Sequence, residues 1–555
     1  MKYYQALADA FFKEQPDHCF ALLGDANMHF AGALADQGVS FIYSRHEHAA
    51  VAAATSYARA TGRVGVATVT CGPGLTQLMT ILPIASRARI PLVIFAGEAP
   101  LLKEWYNQKI DQAPFVEACG AIYHALHDKD QMIAGVHQAF ATAKKQRNVV
   151  VVGVPFDLQQ MAYDDKEGTA LPLSDALITA DTPFTPDPQM IATAAQWLAQ
   201  AERPIILAGL GAVSADARAA CVALANASGA LLANTLPAKG YFKDEDFYLG
   251  VSGGFATEKA KDIYRQADLV IGVGARLAYH AFNGGKLTPD AKVIHLDSDP
   301  QIKVQGRKAS DLQVKADALL GAQALLAALP DQLDTIPKMG WRTDDMKEMT
   351  KQALVLPDDH QTPDGLLHPM AVVKQLADMI GSDCHIINTS GHCAYYAAHM
   401  NYHPQSHFTV IREFGAIGNG TSFALGIAAA HPERPVILID GDGSALMHIQ
   451  EWETMKRHQM KILTIVMNDG AYGSEVHKLR ADGLTEQGSV FGDTDFAAIG
   501  AGFGLQAHRI QNQADLDNLT DHWNGFLAQQ GPAVWDMKIS DKIASPQILA
   551  AHKST

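Results

Sequence analysis

Residues 434–473, RPVILIDGDGSALMHIQEWETMKRHQMKILTIVMNDGAYG, restrict the chain more than any other stretch. Residues 436–439 are a short apolar run with the length and composition of a buried parallel strand. In the turn that follows, Gly441-Asp442-Gly443-Ser444, the glycines allow close backbone approach and positive φ, and Ser444 is a good N-cap. Leu446, Ile449, Trp452 and Met455 recur at three-residue steps, as on one face of a helix. A second apolar run, 462–467, ends on Asn468-Asp469-Gly470. The pattern predicts strand, turn, helix, strand, with an acid at the C-terminal tip of each strand. Open α/β sheets bind ligands at that edge.

Two oxygen side chains at adjacent strand tips suit a hard cation such as Mg²⁺, which takes an octahedral oxygen shell and bridges protein to phosphate. The helix N-terminus beside Asp442 offers free N–H groups to the same phosphates. Taken alone, Gly-Asp-Gly is equally an ordinary strand-to-helix turn.

The remaining chain repeats this grammar. In the first 165 residues, strands at 20–23, 39–43, 64–69 and 91–95 alternate with helices, among them the Ala-rich 49–60 and one at about 75–87. The unit 64–98 mirrors the opening stretch, which suggests a duplicated α/β domain at the two ends. Residues 188–330 form another α/β block, with strands ending at Gly209-Leu210-Gly211, Gly274-Ala275-Arg276 and Asp297-Ser298-Asp299. A lone Gly-x-Gly lacks the third glycine of the dinucleotide fingerprint. Residues 331–369, polar and holding several prolines, read as an interdomain linker, and 370–545 as the last domain. The expected fold is α/β, three doubly wound domains with mostly parallel sheets.

With 555 residues the chain is too long for one core, and 48% hydrophobic with 19% charged residues is ordinary for a globular enzyme. A net charge of −15 argues against nucleic acid or an anionic membrane as the main partner. The six cysteines lack C-x-x-C spacing, so neither a zinc site nor a disulfide framework is indicated. No signal peptide or membrane-length apolar run is apparent, and the cytoplasm is the expected location.

The acid pair together with motifs at the other end resembles thiamine-diphosphate enzymes of the acetolactate synthase and 2-oxo-acid decarboxylase family. In that family a second ligand follows the Gly-Asp-Gly aspartate by twenty-seven positions. Here that position holds Asp469 where Asn is usual, which adds one negative charge. The resemblance implies a metal set of Asp442, Asp469 and the Ala471 carbonyl; a shift of one residue would give Asn468 and Gly470 instead. Arg45-His46-Glu47-His48-Ala49-Ala50 looks like the family's catalytic-glutamate motif, with Tyr57-Ala58-Arg59-Ala60-Thr61-Gly62 and Gly72-Pro73-Gly74 following in order. Glu47 would then give a proton to the cofactor's aminopyrimidine, and burial would raise its pKa as that task requires. A helix-starting Glu held by the macrodipole is the ordinary alternative.

By the same resemblance Ile417, in Phe414-Gly415-Ala416-Ile417-Gly418, matches the aliphatic wedge that bends the cofactor, and the Gly415 carbonyl would accept from its amino group. Thr389-Ser390-Gly391-His392 stands where relatives place diphosphate and substrate contacts, with Gly441, Gly443 and Ser444 completing the cradle; His392 is equally a donor or a loop histidine. Gln108 resembles a family segment that reaches across the subunit boundary. Glu475, six past Asp469, stands where pyruvate decarboxylases place a second acid, or is a solvated loop acid. The run Arg276-Leu277-Ala278-Tyr279-His280 departs from the Arg-Phe-Asp-Asp-Arg of acetolactate synthases, which puts FAD or ADP in the middle domain in doubt. The implied activity is cleavage or formation of a C–C bond next to a carbonyl of a small 2-oxo acid, hydroxy ketone or diketone, in a homodimer or homotetramer with sites between subunits. A hydrolase of a cyclic diketone, or a non-catalytic nucleotide- or flavin-binding relative, remains open.

Overall fold

The computed structural model describes residues 1–163, 171–179, 182–329, 341–356, 360–401 and 403–552. Its frame is three six-stranded, all-parallel sheets. The first is built from β1 (His18–Ala21), β2 (Ser40–Tyr43), β3 (Gly65–Val69), β4 (Leu92–Glu98), β5 (Ile122–Ala125) and β6 (Val149–Pro155), in the order β2-β1-β3-β4-β6-β5. The second holds β7 (Pro204–Ala208), β8 (Leu231–Asn234), β9 (Tyr248–Val251), β10 (Leu269–Val273), β11 (Lys292–Asp297) and β12 (Leu312–Lys315), in the order β12-β11-β10-β7-β8-β9. That is the doubly wound order of dinucleotide folds. The third comprises β13 (His385–Asn388), β14 (Phe408–Val410), β15 (Val436–Gly441), β16 (Ile462–Asn468), β17 (Gln506–Ile510) and β18 (Ala533–Lys538), in the order β14-β13-β15-β16-β18-β17. The first and third sheets therefore share one strand order, as the mirrored sequence units suggest.

The central strands read as continuous apolar runs because helices cover both faces: Val149–Pro155 and Ile462–Asn468 are buried throughout. The first and third sheets are joined by two helices, Glu47–Thr61 and Gly420–Ala430, that are buried over almost their whole length. Alanines on one and Gly426 on the other let the backbones meet. A Cβ at Gly426 would stand 2.0 Å from the Ala53 carbonyl, and Ser56 donates to the Phe423 carbonyl at 2.8 Å. This junction holds Arg45 and its neighbours against the last domain.

Within the stretch expected as a linker, residues 330–340 and the Pro357-Asp358-Asp359 piece lie outside the described residues. The part between them carries a helix, Asp344–Leu354, capped by Thr343. Its Met346 and Ala353 join the core of the second sheet, and the Trp341 indole donates to the Pro204 carbonyl at 3.1 Å. The helix expected at 75–87 is two pieces, Pro73–Thr76 and Ile81–Arg87. No helix among the described residues is long and apolar enough to cross a membrane.

Candidate functional site

Parallel pairing of β15 with β16 sets Gly441 opposite Met467, which brings the two acid-bearing tips side by side. Asp442 is the first residue of a four-residue helix, Asp442–Ala445, with Gly441 as N-cap. Ser444 is therefore inside the helix and not its cap; its Oγ accepts the Gly418 N–H at 2.8 Å. Neither Gly441 nor Gly443 has positive φ. Gly443 is needed for space, since a Cβ there would lie 2.5 Å from the Tyr472 ring. The single helix expected from Leu446 to Met455 is broken into a 3₁₀ turn and the helix Glu451–Arg457, and only Trp452 and Met455 of the four apolar residues are fully buried.

Asp442 locks the loop after β16 in place. Its Oδ2 accepts the N–H groups of Gly470 at 2.7 Å and Ala471 at 3.2 Å, and its Oδ1 accepts that of Gly443 at 2.8 Å. Burial pushes its pKa up to about 6. Asp469 faces the same cavity and is held well above the usual carboxylate range, by burial first and by the charge of Asp442 second. Asn468 faces away: its amide donates to the Thr494 carbonyl and to Asp536 Oδ1, each at 2.8 Å. Two buried neighbouring carboxyls, with Lys538 acting on Asp442 only as a weaker, lowering influence, are electrostatically suited to a divalent ion, and an all-oxygen donor set suits Mg²⁺. The residues fit that metal.

The cavity around the pair is lined by Ser390, Gly391, His392, Ile417, Gly441, Asp442, Gly443, Ser444, Asp469, Ala471 and Glu475. Thr389 stands behind it and donates to Asp440 Oδ1 at 2.9 Å. Gly415 is exposed, with φ of 77°, and lies outside the cavity lining. His392 Nε2 accepts the Ser545 N–H at 3.0 Å, so the ring proton sits on Nδ1, which is 4.0 Å from Asp469. Burial lowers its pKa to about 3, and the neutral ring is a donor toward the acid pair. The Glu475 carboxylate is more than half exposed and stands 3.7 Å from Lys478 Nζ.

Glu47 and Gln108 do not line this cavity. They form a second cluster at the carboxyl edge of the first sheet. Glu47 starts its helix after β2, half-buried, with its Oε1 3.5 Å from where a side chain on Gly74 would begin. Gln108 Oε1 accepts the Cys71 thiol at 3.3 Å in the adjoining loop. The chain thus holds two separate clusters, one with two acids around a glycine-lined cavity, the other around Glu47.

Sequence reading passed over several residues here. Asp440 is buried, with its Oδ2 unpartnered and its pKa pushed up to about 7 by burial. Its position in Asp-Gly-Asp-Gly was a visible signal. Tyr396 also lines the cavity, and its place four residues after His392 was the available signal, since that spacing stacks two side chains on a helix. In the middle sheet, Gly209 and Gly211 meet the backbone of Gly274 and Ala275, and Gly211 N–H donates to the Gly274 carbonyl at 2.8 Å. Packing within the chain accounts for these glycines, so they add no argument for FAD or ADP.

This arrangement is that of an α/β protein with two buried acids and a glycine-lined cavity at one sheet edge. The chain matches the N-terminal thiamine pyrophosphate-binding domain of the thiamine pyrophosphate enzymes over residues 1–115, their central domain over 191–326 and their C-terminal binding domain over 389–537. It is 28% identical to the acetolactate synthase isozyme 2 large subunit of Escherichia coli, over 94% of this chain and 92% of that protein. It is 27% identical to a probable acetolactate synthase large subunit of Methanocaldococcus jannaschii, over 99% and 93%, and 25% identical to a putative thiamine pyrophosphate-containing protein of Bacillus subtilis, over 98% and 92%. The chain belongs to the thiamine-diphosphate-dependent enzymes of the acetolactate synthase family.

Proposed function

We propose that the protein decarboxylates a 2-oxo acid, joins its acyl fragment to a second carbonyl, or does both, with thiamine diphosphate and Mg²⁺. The observation that carries the reading is the buried pair Asp442 and Asp469 at neighbouring strand tips, facing one cavity with Ile417 and His392. Asp442, Asp469 and the Ala471 carbonyl would hold the metal, with the register set by Asn468 turning into the core. Ser390, Gly391, Gly441, Gly443 and Ser444 would hold the diphosphate, with Thr389 bracing Asp440 behind them. The cofactor, once bound, supplies a nucleophilic carbon and an electron sink for the bond next to the carbonyl.

The chain's own residues do the remaining work. Ile417 orients the cofactor, with the Gly415 carbonyl as acceptor. Neutral His392 donates from Nδ1 without adding charge to the acid pair. Glu475, exposed at the mouth, moves a proton at its carboxylate to or from the reacting substrate. Glu47 holds and moves a proton at its carboxyl, with Gln108 beside it at the partner half-site. Since neither lines the acid-pair cavity of its own chain, a complete site combines two subunits, in a dimer or a dimer of dimers. The domain limits 1–165, 188–330 and 370–545, with 331–369 between, and a cytoplasmic location belong to the same proposal.

Product analysis with pyruvate, with and without thiamine diphosphate and Mg²⁺, tests it. Acetolactate indicates carboligation and acetaldehyde alone decarboxylation. Absence of thiamine diphosphate binding sinks the reading.

A further inference from the structure

Gln112 precedes the helix Ala113–Ala118, is 3% exposed, and uses both ends of its amide. Its Oε1 accepts the Gly72 N–H at 2.9 Å, and its Nε2 donates to the Gly97 carbonyl and the Tyr123 hydroxyl, each at 3.1 Å. An amide carries one acceptor oxygen and two donor hydrogens, and these partners fix which end is which. Tyr123 in turn donates to Glu98, the last residue of β4. Burial first and Glu98 second push the Tyr123 pKa up, which keeps the hydroxyl protonated as the donor. The other Glu98 oxygen meets Nε2 of His127, whose ring is nearly half exposed. A side chain on Gly153, alongside in β6, would run into both Tyr123 and Glu98. A chain of hydrogen bonds thus leads from the surface to the turn after β3.

That turn is the one packed against Glu47. Gly72 has φ of 57°, a conformation that favours glycine, and a Cβ there would collide with the Gln108 carbonyl. The loop bearing Gln108 therefore lies directly on it. Cys71, beside Gly72, donates to the Gln108 side chain, while Gly74, further along the turn, stands against the Glu47 carboxyl. A fully satisfied buried network is rigid, and small displacements of reacting groups are costly to rate. Gln112 joins three pieces by one side chain: the turn, the tip of β4 and the Gln108 loop.

We infer that Gln112 is a positioning residue for the Glu47 cluster. It fixes the turn 72–74 against the Glu47 carboxyl and the Gln108 loop over that turn, while Tyr123, Glu98 and His127 hold Gln112 itself. The inference rests on the proposed role of Glu47 in holding and moving a proton.

Two readouts on the full chain loaded with thiamine diphosphate and Mg²⁺ test it. Gln112→Met keeps the bulk of the side chain and removes its hydrogen bonds. Deuterium exchange at C2 of the bound cofactor, followed by quenched NMR, should slow about tenfold or more, while the cofactor's Kd shifts by less than about threefold. Alkylation of Cys71 by iodoacetamide, read by peptide mass spectrometry, should quicken about tenfold or more while the buried Cys19 and Cys221 keep their native rates. Where the native chain accelerates exchange over the free cofactor, either readout left at its native value overturns the inference. A rise shared by all three thiols is general loosening and also overturns it. A native chain that does not accelerate exchange defeats the reading of Glu47, and Cys71 labelling then decides the brace by itself. If Gln112→Met does not fold, Gln112→Glu decides. Its protonated carboxyl still accepts from Gly72 and donates onward, whereas the ionised form has no donor. Cys71 protection relative to the native chain must then be lost as pH rises, and a ratio flat with pH overturns the inference.

Discussion

His48 Nε2 lies 2.6 Å from Oδ1 of Asn419, and this buried hydrogen bond joins the residue beside Glu47 to the loop that carries Ile417. The Asn419 amide donates to the carbonyl of Ala416 at 3.2 Å, so Oδ1 is the acceptor and the imidazole the donor. Burial lowers the His48 pKa to about 4, and its ring stacks on His448 at 4.8 Å. A neutral histidine thus couples two half-sites that belong, in the proposed assembly, to different active sites.

Asn419→Ala leaves the His48 donor buried and unpaired. Stability should fall by about 1–3 kcal/mol, read as a lower urea midpoint. The freed loop should also weaken thiamine diphosphate binding, measured by tryptophan fluorescence. An unchanged midpoint would show that the bond has no energetic weight.

The acid pair predicts a pH-dependent effect of metal. A carboxyl whose folded pKa is raised stabilises the fold below its unfolded pKa, and that contribution is lost as pH rises through the folded value. For Asp442, raised to about 6, the loss runs from about pH 4 to pH 6, and Asp469 extends it upward. Without metal the stability should decline across this window, by about 2–3 kcal/mol for a two-unit shift, read as a falling melting temperature. Thiamine diphosphate with Mg²⁺ should raise the melting temperature, with the gap over the metal-free curve widening toward pH 8. Parallel curves would argue against a cation between the two acids.

Substitution separates the neighbours at the second strand tip. Asp469→Ala should weaken Mg²⁺-dependent cofactor binding and spare the fold. Asn468→Ala removes the donor to Thr494 and Asp536 and should instead cost about 1–3 kcal/mol of stability. Dialysis against graded Mg²⁺ with cofactor retention as readout tells them apart, and the reverse pattern would move the ligand register by one residue.

Glu47→Gln should abolish most turnover while the cofactor still binds. Mixed with inactive Asp442→Ala protein and reassembled, it should recover about a quarter of native activity, because in a mixed dimer one of the two sites has both native halves. No recovery despite confirmed mixed dimers would place both halves of a site in one chain.

Much of this was local and therefore legible in the chain. Apolar runs bounded by glycine turns marked strands such as Ile462–Asn468, the acids at their tips followed from where those runs stop, and the mirrored units anticipated the shared strand order of the outer sheets. Such features depend on residues a few positions apart, whose periodicity and turn chemistry act before any distant contact forms. Tertiary structure decided the rest. It broke the helix after Asp442 so that Gly443 meets Tyr472, and turned Ser444 from a cap into a brace for Gly418. It also sent Asn468 inward while Asp469 faces the cavity, and left Glu47 at a separate edge. The Arg412 guanidinium lies over the Phe255 ring only because the ends of two strands from different sheets meet there. Which way a side chain faces and what it pairs with are fixed by packing between elements, and that energy is absent from any single stretch of chain.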